Sequence, residues 1–146
     1  MADLTTSRVS FTLASTLESV NKIERAAEQC AQLAGFDEET VPHIAMAIRE
    51  AAVNAVLHGN AYDPAKCITA SFEMTPEALV IRISDQGPGF DPACLPDPLA
   101  PENILRCSGR GIFLIRALMD EVRFRKLCPG TELTLIKRRT CAQPRT

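Results

Sequence analysis

From residue 8 to residue 13, Arg-Val-Ser-Phe-Thr-Leu, polar and apolar positions alternate with the period of a β-strand. The spacing then becomes helical. Leu17, Val20, Ile23, Ala27, Cys30 and Ala31 share one face of a helix that Thr16 or Ser15 caps and Gly35 stops just past Leu33. A second helix is expected over residues 37–58, beginning near Thr40-Val41-Pro42, because Ile44, Ala45, Ile48, Ala52, Ala55 and Val56 recur every three or four positions. Gly59 supplies the residue just beyond its end.

Two β-rich runs, residues 67–72 and 78–84, flank Met74-Thr-Pro-Glu77 and predict a hairpin. After Gly89 the periodicity stops: Pro92, Pro96, Pro98 and Pro101 exclude a regular helix or an inner strand, so this stretch reads as a long loop. Ile112, Phe113, Ile115, Leu118 and Met119 then define a short amphipathic helix. Two further strands, residues 121–126 and 132–137, are joined at Pro129-Gly130, and the polar tail from Arg138 frays. The order β, α, α, β, β, loop, α, β, β predicts an α+β fold with three helices on one face of a mixed or antiparallel sheet.

With 146 residues the chain has room for one domain, residues 1–146, around a single core. That core is aliphatic, since Trp is absent and Tyr62 is the sole tyrosine. Sixteen basic residues stand against 18 acidic ones without a long basic block, which argues against nucleic acid or an anionic membrane as partner. No apolar run approaches the roughly 20 residues of a membrane span. The cysteines Cys30, Cys67, Cys94, Cys107, Cys128 and Cys141 form no CxxC pair, and the N-terminus lacks a signal-peptide pattern, so a reduced, cytoplasmic protein is expected.

Candidate chemistry lies in three segments. Glu50 and Asn54 stand one turn apart on the same face of the second helix, among the small residues Ala47, Ala51 and Ala55, which leave space for a ligand. A carboxamide oxygen suits Mg²⁺ carrying nucleotide phosphates, and a nearby carboxylate can accept a proton from a nucleophile. His58, in the last turn, is better explained by capping than by catalysis. Asp85 follows the strand Val80-Ile-Arg-Ile-Ser84, where a carboxylate can accept a hydrogen bond from an amino-substituted ring, and Gly87 and Gly89 let the backbone pass close to a ligand. Ser108-Gly109-Arg110-Gly111 opens the third helix and makes an anion cradle, though no Walker A loop exists in the chain. A solvated helix face, an Asp-Gly turn and a helix cap with surface arginines account for each segment taken singly. The ordered set carries the nucleotide reading.

These segments resemble the N box and the two glycine boxes of the Bergerat-fold ATPases shared by gyrase, MutL and histidine kinases. More closely, Glu50-Ala-Ala-x-Asn54-Ala-x-x-His58-Gly59, Asp85-x-Gly87-x-Gly89-Phe90, Ser108-Gly109-Arg110-Gly111-Ile112, Met119-Asp-Glu-Val122 and Gly130-Thr131 resemble the bacterial anti-sigma-factor serine/threonine kinases, over residues 8–138. The resemblance implies a two-layer α/β sandwich of the Bergerat type, with Asn54 as Mg²⁺ ligand, Glu50 as the base that activates the attacking hydroxyl, and Asp85 on the adenine amino group. It also implies that Gly87 and Gly89 shape the base pocket, that Ser108, Gly109, Arg110 and Gly111 hold the phosphates beneath a lid over residues 90–108, and that Thr131 lies on the adenine side. Such proteins use ATP to phosphorylate a STAS-type antagonist and sequester a sigma factor, commonly as homodimers. One departure stands out: where some members carry a γ-phosphate arginine before the Ser-Gly, this chain has Cys107, which leaves Arg106 or Arg110 to substitute. The readings in competition are a nucleotide-binding regulator without kinase activity and a detached histidine-kinase catalytic domain. Against the latter, too few residues precede the first strand to form a dimerisation helix pair.

Overall fold

The computed structural model describes residues 7–60, 63, 65–87, 111–127 and 130–139, with backbone alone at 58, 59, 111 and 112. Its elements are β1 (Ser7–Ala14), α1 (Leu17–Leu33), α2 (Thr40–Asn54) with a π-helical turn (Ala55–Gly59), β2 (Cys67–Met74), β3 (Ala78–Ser84), α3 (Gly111–Leu118), β4 (Glu121–Lys126) and β5 (Thr131–Arg138). The sheet order is β1-β2-β3-β5-β4, and every neighbouring pair is antiparallel. An open five-stranded antiparallel sheet under one layer of helices is the architecture expected, with the mixed alternative excluded for these strands.

Period-two patterning sets the register. Val9, Phe72, Ile81, Leu135 and Val122 form one transverse row across all five strands, and Phe11, Ala70, Ile83, Leu133 and Phe124 form the next. Both rows face the helices, and the Phe11 and Phe72 rings stand 5.9 Å apart. The opposite face carries a polar row: Thr12, Thr69, Ser84, Glu132 and Arg125 lie side by side, closed by an Arg125–Glu132 ion pair at 3.1 Å. Slipping any strand by one residue would exchange these two sets.

The helical layer presses Val20, Ile23, Ile44, Ile48, Val56 and Ile115 into this sheet, each fully buried. Thr16 rather than Ser15 caps α1, its hydroxyl accepting the Ser19 N–H at 3.2 Å. At the other end Gly35 adopts φ 90°, and the N–H groups of Gly35 and Phe36 reach Gln32 and Ala31 at 3.0 and 3.2 Å, a Schellman stop. Leu17 and Phe113 do not enter the core, being 50% and 52% exposed. Helical spacing defines a face, but burial needs an opposing element, and neither first-turn residue has one among the described residues.

The second helix ends differently from the expectation for Gly59. The turn Ala55–Gly59 widens to π geometry and closes when the Asn60 N–H donates to the Ala55 carbonyl at 2.8 Å. Such one-turn widenings re-aim the residues that follow. Here Asn60 is delivered into the interior, with no solvent exposure.

Candidate functional site

Asp85 is the first residue beyond β3, where its N–H extends the ladder to the Thr131 carbonyl at 3.0 Å. Its carboxylate Oδ1 accepts two backbone N–H groups, from Gly87 at 3.0 Å and Thr131 at 3.2 Å. One oxygen is therefore committed to the fold. With only 8% of the residue exposed, burial pushes the carboxyl above the ordinary carboxylate range, and the two N–H donors and the charge of Lys66 offset part of that rise.

Gly130 makes the approach of β5 possible. Its φ is +110°, and a Cβ there would overlap the Asp85 carbonyl oxygen and stand 2.9 Å from the carbonyl carbon. Asp85, Gly87 and Thr131, three of the residues picked out in the sequence, are thus brought together by direct hydrogen bonds.

Glu50 and Asn54 occupy the C-terminal half of α2, both half-buried, one turn apart. The Asn54 Nδ2 is buried with no hydrogen-bond partner, a cost the native state carries unless a ligand satisfies the amide. Ala47, Ala51 and Ala55 are not an open ligand face, as their small size suggested; they are buried in the core, 0%, 2% and 6% exposed. Small side chains there let α2 pack closely against its neighbours α1 and α3. Gly111 begins α3. Gly89, Ser108, Gly109, Arg110, the substitute Arg106, Cys107 and the 90–108 lid lie outside the described residues, as does the side chain of His58.

Two residues were missed. Asn60 and Gln86 link the end of α2 to the Asp85 turn: Asn60 Oδ1 accepts the Gln86 N–H at 2.8 Å, and Gln86 Oε1 accepts the Cys67 N–H at 2.8 Å. The only local signal was an Asn following Gly59, which reads as an ordinary turn residue.

The buried, backbone-pinned carboxylate at the end of β3 and the unsatisfied amide of α2 sit in an open antiparallel sheet covered by helices, the architecture of the Bergerat-type ATPase domains. Residues 13–137 match the histidine kinase-like ATPase domain family, and the chain belongs to that family. Its curated relatives include the serine-protein kinase RsbW of Staphylococcus epidermidis, 33% identical over 136 residues, 88% of this chain and 85% of the relative. RsbW of Listeria innocua is 31% identical over 99 residues, 64% of this chain, so that the match spans 63% of that relative's length. These relatives bear out the resemblance to the anti-sigma-factor kinases. Among solved structures, the RsbU and RsbW domains of Rv1364c from Mycobacterium tuberculosis share the fold with a TM-score of 0.66 at 22% identity, covering 90% of this chain and 32% of that one. The mycobacterial sensor histidine kinase MprB shares it at 0.54 and 16% identity, over 89% of this chain and 97% of that one. Among the described residues, no helix is long and apolar enough to cross a membrane.

Proposed function

We propose that this protein is a cytoplasmic ATP-dependent serine/threonine kinase and anti-sigma factor, which phosphorylates a STAS-type antagonist and otherwise sequesters a sigma factor, as a homodimer. The observation that carries the nucleotide reading is the Asp85 carboxylate, buried and held through Oδ1 by two backbone donors, which is a fixed acceptor for an exocyclic amino group. Thr131 lies beside it, and Gly87 would give the base its approach, as would Gly89, which lies outside the described residues.

The residues present fit a Mg-nucleotide. The Asn54 Nδ2 has no hydrogen-bond partner within the fold; in this reading the side-chain carbonyl would hold Mg²⁺ and the Nδ2 would donate to a phosphate oxygen. Mg²⁺ would supply charge neutralisation of the phosphates. Glu50, one turn earlier, would take the proton of the substrate hydroxyl. Ser108, Gly109, Arg110 and Gly111, at and before the start of α3, would supply N–H donors and positive charge to the phosphate chain.

Incubation with Mg-ATP labelled at the γ-phosphate and candidate STAS proteins tests this reading. A labelled serine or threonine on the partner supports it. ATP binding without any phosphoprotein supports instead the second reading, a nucleotide-switched regulator, which Cys107 at the arginine position favours. No uptake of adenine nucleotide sinks both.

A further inference from the structure

Asn60 satisfies its whole side-chain amide inside the protein. Its Nδ2 donates to the Ser15 Oγ and to the Cys67 carbonyl, both at 3.0 Å, while Oδ1 accepts the Gln86 N–H at 2.8 Å. Its own backbone N–H is the bond that closes the π-helical turn after Asn54. One fully buried side chain therefore joins the start of α1, the start of β2, the end of α2 and the turn that carries Asp85.

We infer that Asn60 is a positioning residue for the adenine end of the site, holding the 85–87 turn so that the Asp85 carboxylate keeps its place; this rests on the nucleotide reading above. Three physical points lead there. Asp85 and Gly87 bracket Gln86, so fixing the Gln86 N–H fixes the peptide between the acceptor and the glycine that donates to it. The Gln86 side chain adds a second tie to Cys67, whose carbonyl Asn60 also holds, so the turn is pinned to β2 twice. No hydrophobic contact replaces this function, because an apolar residue at position 60 would leave the Gln86 N–H and the Cys67 carbonyl without their partner, and buried backbone groups are almost always paired. The π-turn has the corresponding role of delivering the amide: continued α-helical geometry would have carried Asn60 around to a different direction.

The test compares Asn60→Ala, Asn60→Asp and Ser15→Ala. Ser15→Ala removes an acceptor from the same buried amide without touching the 85–87 turn. In nucleotide-free protein, amide hydrogen exchange at Gln86 and Gly87 should be at least tenfold faster in Asn60→Ala than in wild type, and unchanged in Ser15→Ala. Asn60→Asp keeps the acceptor for Gln86 and loses the donors, so it should retain slow exchange at Gln86 despite lower stability; if Asn60→Ala does not fold, this variant decides the matter by itself. With nucleotide, the affinity ratio of ATP over inosine triphosphate, which carries a carbonyl in place of the amino group, should fall severalfold in Asn60→Ala and persist in Ser15→Ala and Asn60→Asp. A global loss of stability would weaken both nucleotides alike and leave the ratio intact. Unchanged exchange at Gln86 in Asn60→Ala, fast exchange there in Asn60→Asp, or an unchanged ratio overturns the assignment. Failure of wild type to bind ATP would overturn the nucleotide reading, and the exchange result would still decide the role of Asn60 in the turn.

Discussion

Gly130 rests against the main-chain carbonyl of Asp85 in a space that admits no side chain, with φ at +110°. The start of β5 and the end of β3 thereby come together at the Asp85 carboxylate. Gly130→Ala meets both obstacles at once, a left-handed backbone and a clash with backbone that cannot move aside. The conformational term by itself costs about 1–3 kcal/mol. The variant is expected to melt several degrees lower and to lose ATP affinity. A wild-type melting curve would show that the approach is not tight.

The Asp85 carboxyl is raised by burial, so the fold favours its protonated form. Its stabilising contribution is complete below the unfolded-state value, about 4, and is lost as pH rises through the folded value. Asp85→Asn carries no such dependence. Urea unfolding between pH 4 and pH 7 should therefore show wild type losing stability relative to the variant as pH rises. At pH 7 the variant should be at least as stable, yet bind ATP tenfold or more weakly, about 1.4 kcal/mol. A stability difference that moves the other way with pH would contradict the buried-acceptor account.

Asn54 carries an unsatisfied buried Nδ2, worth about 1–3 kcal/mol against the ligand-free fold. Asn54→Ala should leave ligand-free stability unchanged or raised while abolishing magnesium-dependent nucleotide binding, the trade expected of a functional position. Calorimetric titration with and without magnesium reads the loss.

Glu50→Gln separates binding from transfer. It keeps size and hydrogen bonding but cannot take a proton, so label transfer to a STAS partner should fall by a factor of 100 or more while ATP affinity stays within threefold of wild type. Transfer at the wild-type rate would remove Glu50 from the role of base.

Phe72 lies in the inward row, 1% exposed, between Val9 and Ile81. Phe72→Ala should cost about 3–5 kcal/mol through the cavity it leaves. On the polar face, Arg123 pairs with Glu121 at 2.9 Å with its side chain 66% exposed, and Arg123→Ala should change chemical stability by well under 1 kcal/mol. The two unfolding midpoints, measured side by side, test which face of the sheet is the core.

Local patterning determined much of this protein. Alternation, β-rich runs and helical spacing named the five strands and three helices, though not the π-helical turn, because each strand and helix advertises the face it buries; Gly35, Thr16 and the hairpin at Thr75 act through bonds to residues within five positions of themselves. The chemical types at Glu50, Asn54, Asp85 and Gly87 were legible for the same reason, since a turn or a helical step places them. Tertiary structure alone decided what depends on residues distant in the chain. Strand order, the burial of Ala47, Ala51 and Ala55, the exposure of Leu17 and Phe113, and the pairing of Asp85 with Thr131 all turn on which surface arrives opposite. Asn60 shows the limit most clearly: a polar residue after a helix is equally suited to water, and only the convergence of Ser15, Cys67 and Gln86 around it makes burying its amide favourable.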